Sequence, residues 1–288
     1  MSRPKKLELA KTSLLIVTGG SSGIGEGFIR SFSSLGTQTV VCNLSRREPE
    51  GFSEEHRMYH IGVDLSLTEN VPEAVNEIRK LIGERSLEGP IVLINNAGFG
   101  TYGHFEDADV KEQASMVGLN CTAPVVLTHE LLPLLKEHGG AVVNVASTAS
   151  FQPTPFLATY GATKAFLMHW SLALNEELKG TEVGCLVVCP GPTSTAFFRR
   201  AGFAESPQAM GGHTVDYVVE VSLKALESGK ALVVVGYRNR LMAFFCGRLP
   251  RVWVTRVAGL VLRKLRLERF LAQRKGEAIS KEKEGGDA

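Results

Sequence analysis

The sequence is poor in the features that mark several protein classes. It has five cysteines, Cys42, Cys121, Cys185, Cys189 and Cys246. An odd number at irregular spacing argues against a disulfide framework and for a reducing compartment. No stretch reaches the ~20 apolar residues that a membrane span requires. The basic N-terminus, MSRPKKLELAKT, lacks an apolar run of signal-peptide length. A cytoplasmic protein is therefore expected. Net charge is small: 32 Lys and Arg against 30 Asp and Glu leave +2, which argues against a bulk nucleic-acid binder. No metal site is expected. Cys185 and Cys189 lie in EVGCLVVCPG, which reads as a strand, and four strand steps separate them by roughly 13 Å. Internal repeats are absent.

What is present fits a large α/β protein. The 288 residues are 44% hydrophobic and 22% charged, ordinary values for a globular chain. Apolar runs of strand length alternate with helix-length amphipathic segments. The expected strands are SLLIVTGG, TQTVVCN, RMYHIGVDLS, IVLINNAG, GAVVNVAS, EVGCLVVCPG and ALVVV. Helices are expected near 24–35, across TENVPEAVNEIRKLIGE with Thr68 or Asn70 as cap, and near 110–136, 160–178 and 214–228. Strands apolar on both faces and separated by helices imply a doubly wound, seven-stranded parallel Rossmann-like sheet with helices on both faces. This domain is expected over 1–236, with a lid at about 192–213. Residues 237–288 form a basic, apolar C-terminal helical extension with a frayed end, KGEAISKEKEGGDA.

The first strand runs into TGGSSGIG, Thr18 to Gly25. A dinucleotide fold needs glycines there, because the backbone must approach a pyrophosphate at a helix N-terminus. Gly19, Gly23 and Gly25 are spaced G-x-x-x-G-x-G, with Ser21, Ser22 and Ile24 between them. A plain strand-to-helix turn would also use glycine, so position in the first βα unit carries the weight. The second strand is expected to end at Asn43, a candidate cofactor contact, with no carboxylate to bind a ribose 2′-hydroxyl. Ser45, Arg46 and Arg47 follow and suit a 2′-phosphate. NADP is favoured over NAD, although a solvated loop would also carry these residues.

With TGGSSGIG, NNAG (Asn95 to Gly98), YGATK (Tyr160 to Lys164) and PGPTST (Pro190 to Thr195) in order, the chain resembles the short-chain dehydrogenase/reductase family over about residues 13 to 235. The resemblance implies a catalytic tetrad of Asn120, Ser147, Tyr160 and Lys164. Tyr160 would be the acid/base, Ser147 would position the carbonyl, Lys164 would lower the tyrosine pKa and bind ribose, and Asn120 would hold a proton-relay water. It further implies cofactor contacts from Asp64, Asn96, Ala97, Gly98, Pro190, Gly191, Thr193 and Thr195. Asp64 also reads as a strand-end turn. Ser22 departs from the basic residue that many NADP-using relatives carry. The implied activity is hydride transfer between NADP and a hydrophobic ketone or alcohol, acyl- or steroid-like. A non-catalytic cofactor-binding scaffold or redox sensor is the rival, and a family epimerase or dehydratase is a third reading. A homo-oligomer is expected.

Aromatic side chains crowd the loops beyond the strand ends: Phe99, Tyr102, Phe105, Phe151, Phe156, and Phe197, Phe198 and Phe203 in the lid, with Arg199 and Arg200 beside them. They suit either a hydrophobic carbonyl substrate or packing of the lid. The C-terminal segment mixes arginines with Leu, Val, Phe and Trp253. It suits contact with an anionic membrane surface, and also packing over the substrate mouth or against another subunit. A polar break at Gly247 to Arg251 and the charge of Lys264 favour packing.

Overall fold

The computed structural model describes residues 6–35, 38–50, 57–195, 197, 201 and 212–263. Seven strands form one parallel sheet in the order β3-β2-β1-β4-β5-β6-β7. They are β1 (Leu14–Thr18), β2 (Val40–Ser45), β3 (Met58–Gly62), β4 (Ile91–Asn95), β5 (Gly140–Val145), β6 (Val183–Cys189) and β7 (Leu232–Val234). Leu14 is in register with Val40 on one side and Ile91 on the other. The strand order therefore reverses between β1 and β4, and a ligand crevice opens beyond the carboxyl ends there.

Strand β1 shows why the sheet is covered on both faces. Its five residues, LLIVT, are all buried, and successive side chains point to opposite faces. Leu14 and Ile16 enter a core with Val75, Ile78, Leu127 and Leu131. Those partners come from α2 (Val71–Arg85) and α4 (Ala123–His138). Leu15 and Val17 enter the opposite core with Phe28, Phe32, Val218 and Val219. Here the partners come from α1 (Gly23–Ser34) and from α6 (Val215–Glu227). Each such side chain contributes roughly 1.5–3 kcal/mol of burial, so a polar residue is disfavoured on either face.

The helix expected over 110–136 is interrupted. It consists of α3 (Val110–Val117), a π-helical turn (Gly118–Thr122) and then α4. The reason is Pro124, at the start of α4. A proline nitrogen cannot donate, so the Asn120 carbonyl lacks its usual i+4 partner, and the turn widens until Ala123 N–H reaches Gly118 O. Helix α5 spans Ala158–Glu177. Asn70 sits at the N-cap position of α2 but its side chain does not cap the helix. It donates instead to the Asp64 carbonyl, at 3.1 Å. Thr68 belongs to a short 3-10 turn.

The C-terminal extension folds onto the sheet end as α7 (Tyr237–Cys246) and a second helical stretch, residues 251–263. Ala243 and Val254 are buried. Arg251 donates to the Phe151 carbonyl at 2.9 Å, and the Tyr102 hydroxyl donates to the Leu262 carbonyl. Among the described residues no helix is long and apolar enough to cross a membrane. Phe198, Arg199, Arg200 and Phe203, expected in a lid, lie outside the described residues, as do Lys264 and the end expected to fray.

Candidate active site

A cavity of about 1000 Å³ opens at the carboxyl end of the sheet. One end is the glycine turn. Gly19 has φ +67 and Gly23 has φ +64, conformations that L side chains rarely adopt. A Cβ on Gly25 would stand 2.5 Å from the Gly19 carbonyl oxygen and from Asn96 Nδ2, so the helix and turn could not close together. Gly19, Ser21, Ser22, Gly23 and Ile24 line the cavity.

Two asparagines hold this turn. Asn96, a cavity residue, donates from Nδ2 to the carbonyls of Thr18 and Gly19, at 3.0 and 3.2 Å. Asn43 is fully buried and accepts from Gly20 N–H at 2.8 Å. The expected end of the second strand at Asn43 is thus corrected. β2 continues to Ser45, and Asn43 does not line the cavity; it reaches the turn from beneath. Thr18, which the sequence reading passed over, accepts the N–H groups of both Asn96 and Ala97 at 2.9 Å.

Beyond β2 and β3, Ser45, Arg46, Arg47 and Asp64 line one lobe of the cavity. Ser45 Oγ donates to the Arg47 carbonyl and fixes the loop. Arg46 lies 3.7 Å from Asp64 Oδ2 and is 76% exposed. Burial raises the Asp64 carboxyl, but hydrogen bonds from the Ser66 hydroxyl and N–H, with the Arg46 guanidinium, outweigh it and hold it below its ordinary value. The same Ser66 bonds make Asp64 the acceptor of a strand-end turn, so Asp64 both shapes the turn and faces the cavity.

The other lobe carries the expected chemistry. Ser147 follows β5, and its Oγ accepts from Ala149 N–H at 3.1 Å. Its side chain faces Tyr160 on α5 closely enough to favour the ionised phenol. Lys164, one turn further on, is buried and donates from Nζ to the Val145 carbonyl at 2.9 Å. Nζ lies 5.9 Å from the Tyr160 ring centre. Burial pushes the Tyr160 phenol up to about 12; the Ser147 side chain lowers it and Cys189 raises it. This reverses the balance expected from an adjacent ammonium, because desolvation dominates. Burial likewise brings the Lys164 amine down to about 8, with Cys121 and Cys189 opposing.

Asn120 is fully buried in the π-turn and does not line the cavity. Its Nδ2 donates to Phe99 O at 2.9 Å and Thr163 Oγ1 at 3.0 Å. Both amide hydrogens are therefore committed, while its backbone carbonyl is the atom that Pro124 leaves without an i+4 donor. A Cβ on Gly98 would stand 2.9 Å from Asn120 Oδ1 and 3.2 Å from Lys164 Nζ. Only glycine at 98 lets these two groups flank the loop.

Of the rings expected at the substrate side, Phe99 and Phe197 line the cavity. The Phe197 ring lies 5.2 Å from that of Tyr160. Tyr102 and His104 pack on Phe156, which adopts φ +67. Phe105 is corrected: it is 71% exposed and outside the cavity. The sequence reading missed Gln152, Thr154, Asn239 and Met242, which also line it, while Trp253 lines it as packing of the C-terminal segment over the substrate mouth implies. It also missed a buried polar chain. Asn95 donates to Thr128 Oγ1 and Asn144 Oδ1, at 3.1 and 2.8 Å, and Asn144 donates to Ser171 Oγ at 2.8 Å. This chain ties β4 and β5 to α4 and α5, the helix that presents Tyr160. Its signal was available as single asparagines inside the apolar runs IVLIN and GAVVNV.

A doubly wound parallel sheet, with a glycine turn at its switch point and a Ser-Tyr-Lys group across the same cavity, defines a Rossmann-type class. A family model described as short chain dehydrogenase matches residues 13–205. The chain is 32% identical to the ketoacyl reductase HetN of Nostoc sp. over 231 residues, 77% of each chain. It is 31% identical over 199 residues to an NADPH-dependent 3-dehydrocapnine reductase of Ornithobacterium rhinotracheale, 67% of this chain and 69% of that one. A solved short-chain dehydrogenase from Sphingobium yanoikuyae in complex with NADPH matches with a TM-score of 0.70 at 26% identity, covering 82% of this chain and 93% of that one. The chain belongs to the short-chain dehydrogenase family.

Proposed function

We propose that the protein is an NADP-dependent oxidoreductase that interconverts an apolar ketone and its alcohol. The observation that carries this reading is a single cavity. It joins the glycine turn and Arg46 and Arg47 at one end to Ser147, Tyr160 and Lys164 at the other. The residues fit a dinucleotide: positive-φ glycines at a helix start, hydroxyls and guanidiniums in the β2 lobe, and Pro190, Gly191, Thr193 and Thr195 along the wall between. Arg46 and Arg47 would hold a 2′-phosphate, and Lys164 would reach the nicotinamide ribose. When bound, the reduced cofactor supplies the hydride. NADPH appears in the names of one relative and one solved relative of this chain.

The chain's own residues handle the proton. With a phenol pushed up to about 12, Tyr160 keeps its proton at neutral pH and can donate it to a carbonyl oxygen. Ser147 hydrogen-bonds that oxygen and orients it. Lys164, as an ammonium, supports the phenolate left behind. Asn120 would hold the water that refills the proton, through the backbone carbonyl that Pro124 leaves without an i+4 donor. Phe99, Phe197, Leu157 and Val261 line the cavity and favour an apolar substrate, in keeping with the ketoacyl reductase among the relatives.

The test is cofactor oxidation with short, aromatic, steroid and long-acyl ketones, using NADPH and NADH. The expected result is ketone-dependent turnover, with NADPH preferred and the apolar compounds favoured. Cofactor binding without turnover on any ketone would leave the scaffold reading instead.

A pH profile checks the role of Lys164. Its amine, brought down to about 8 by burial, is charged below that pH and neutral above it. kcat/KM for reduction should therefore fall as pH rises through about 8. In Lys164→Arg the residual activity should show no such fall, since arginine keeps its charge. An unchanged limb in the variant would remove Lys164 from the titration.

A further inference from the structure

Ten of the seventeen exposed large hydrophobic side chains among the described residues fall between Tyr237 and Val261. They are not scattered. Phe244 and Phe245 on α7 are each half exposed, and on residues 251–263 Trp253, Val257, Leu260 and Val261 are between 58% and 68% exposed. The spacing 253, 257, 260, 261 puts the second set along one helical side. Val254, at the edge of that side next to Val261, is buried against the protein. The two helices thus bury Ala243 and Val254 and leave most of their large apolar side chains facing outward, a cluster rather than scattered single residues.

Charge selects what covers it. Arg238, Arg240, Arg248, Arg251, Arg256 and Arg263 all lie in this stretch and all are exposed. Between Glu227 and Glu268 the chain contains no acidic residue. None of the six arginines pairs with a carboxylate among the described residues. Arg248 lies over the Phe244 ring, 3.5 Å from its centre, so cation and apolar surface are interleaved. A two-fold contact with a second copy would set this acid-free side against its own arginines. An anionic lipid headgroup layer over an apolar interior complements both features.

We propose that α7 and residues 251–263 form a docking face for an anionic phospholipid surface, and that the substrate cavity opens onto it. Trp253, Val257 and Val261 are outward-facing and also line the cavity. An apolar ketone dissolved in the bilayer can therefore enter without crossing water. This substrate route rests on the reductase reading; the docking itself does not.

The experiment is flotation of the full chain with vesicles of phosphatidylcholine alone or mixed with phosphatidylglycerol. Binding is expected only to the mixed vesicles. It should weaken with added salt and be accompanied by a blue shift of Trp253 fluorescence. Val252→Glu/Leu260→Glu alters two exposed residues outside the cavity, and should cut binding roughly tenfold or more while reduction of a small soluble ketone is unchanged. Arg256→Glu, a single exposed change, should weaken binding in the same direction and guards against misfolding of the double variant. Three results would overturn the proposal: no vesicle binding by the full chain, equal binding by the variants, or self-association lost in the variants without any lipid binding, which would assign the face to a second copy. A chain that floats with mixed vesicles yet reduces no ketone would refute the reductase reading and leave the docking face standing.

Discussion

Tyr160→Phe lowers ketone turnover by at least ~10²-fold, the scale of a lost acid–base group, and leaves NADPH affinity unchanged. The substitution removes one oxygen and keeps the ring, whose contact with Phe197 at 5.2 Å survives. Ser147 keeps its place, because its Oγ still accepts from Ala149 N–H at 3.1 Å. The fold should therefore be intact, and cofactor titration by fluorescence can be separated from steady-state rate. A variant that reduces ketones at a near-normal rate would take the proton-donor role away from Tyr160. A variant that has also lost NADPH binding would mean the side chain is structural.

Arg46→Ala/Arg47→Ala weakens NADPH by about tenfold to a hundredfold, the scale of lost charge-assisted hydrogen bonds, and leaves NADH nearly unchanged. Arg46 is 76% exposed, and its only ionic neighbour among the described residues is Asp64, at 3.7 Å. The guanidinium is therefore not tied into the fold, and little stability should go with it. The carboxylate nearby would repel a 2′-phosphate if it stood alone, so the double variant should shift preference toward NADH. Dissociation constants for both cofactors decide the matter. Equal losses, or a wild-type preference for NADH, would contradict the assignment.

The sheet was legible in the sequence because its strands are buried on both faces. Runs such as LLIV and VLI need no partner information to be recognised as parallel strands, and the glycines after the first run mark where the crevice opens. The Tyr160–Lys164 pair was legible because i and i+4 share a helix side. Other features depend on contacts between distant segments. Asn43 lies two residues before the end of β2, and its role emerges only when the Gly20 N–H is placed 2.8 Å from it. The π-turn at Asn120 was hidden behind an uninterrupted apolar pattern, although Pro124 announces it in retrospect. The pKa balance at Tyr160 was misjudged because the sequence shows the neighbouring charge and conceals the burial that outweighs it. The cavity role of Asn239 and Met242 carried no local signal, since it depends on how the C-terminal helices return to the sheet end.

The central claim is that a hydride passes from NADPH to a ketone in the cavity shared by the glycine turn and Tyr160. The direct test uses NADPH carrying deuterium at the transferable position of the nicotinamide ring and a ketone from the panel. Mass spectrometry of the product should show one deuterium on the carbinol carbon, with stoichiometric loss of NADPH, and at least ~10²-fold less labelled alcohol in the same time from Tyr160→Phe. Product formed without deuterium and without net NADPH consumption would contradict the account and point to an epimerase or dehydratase.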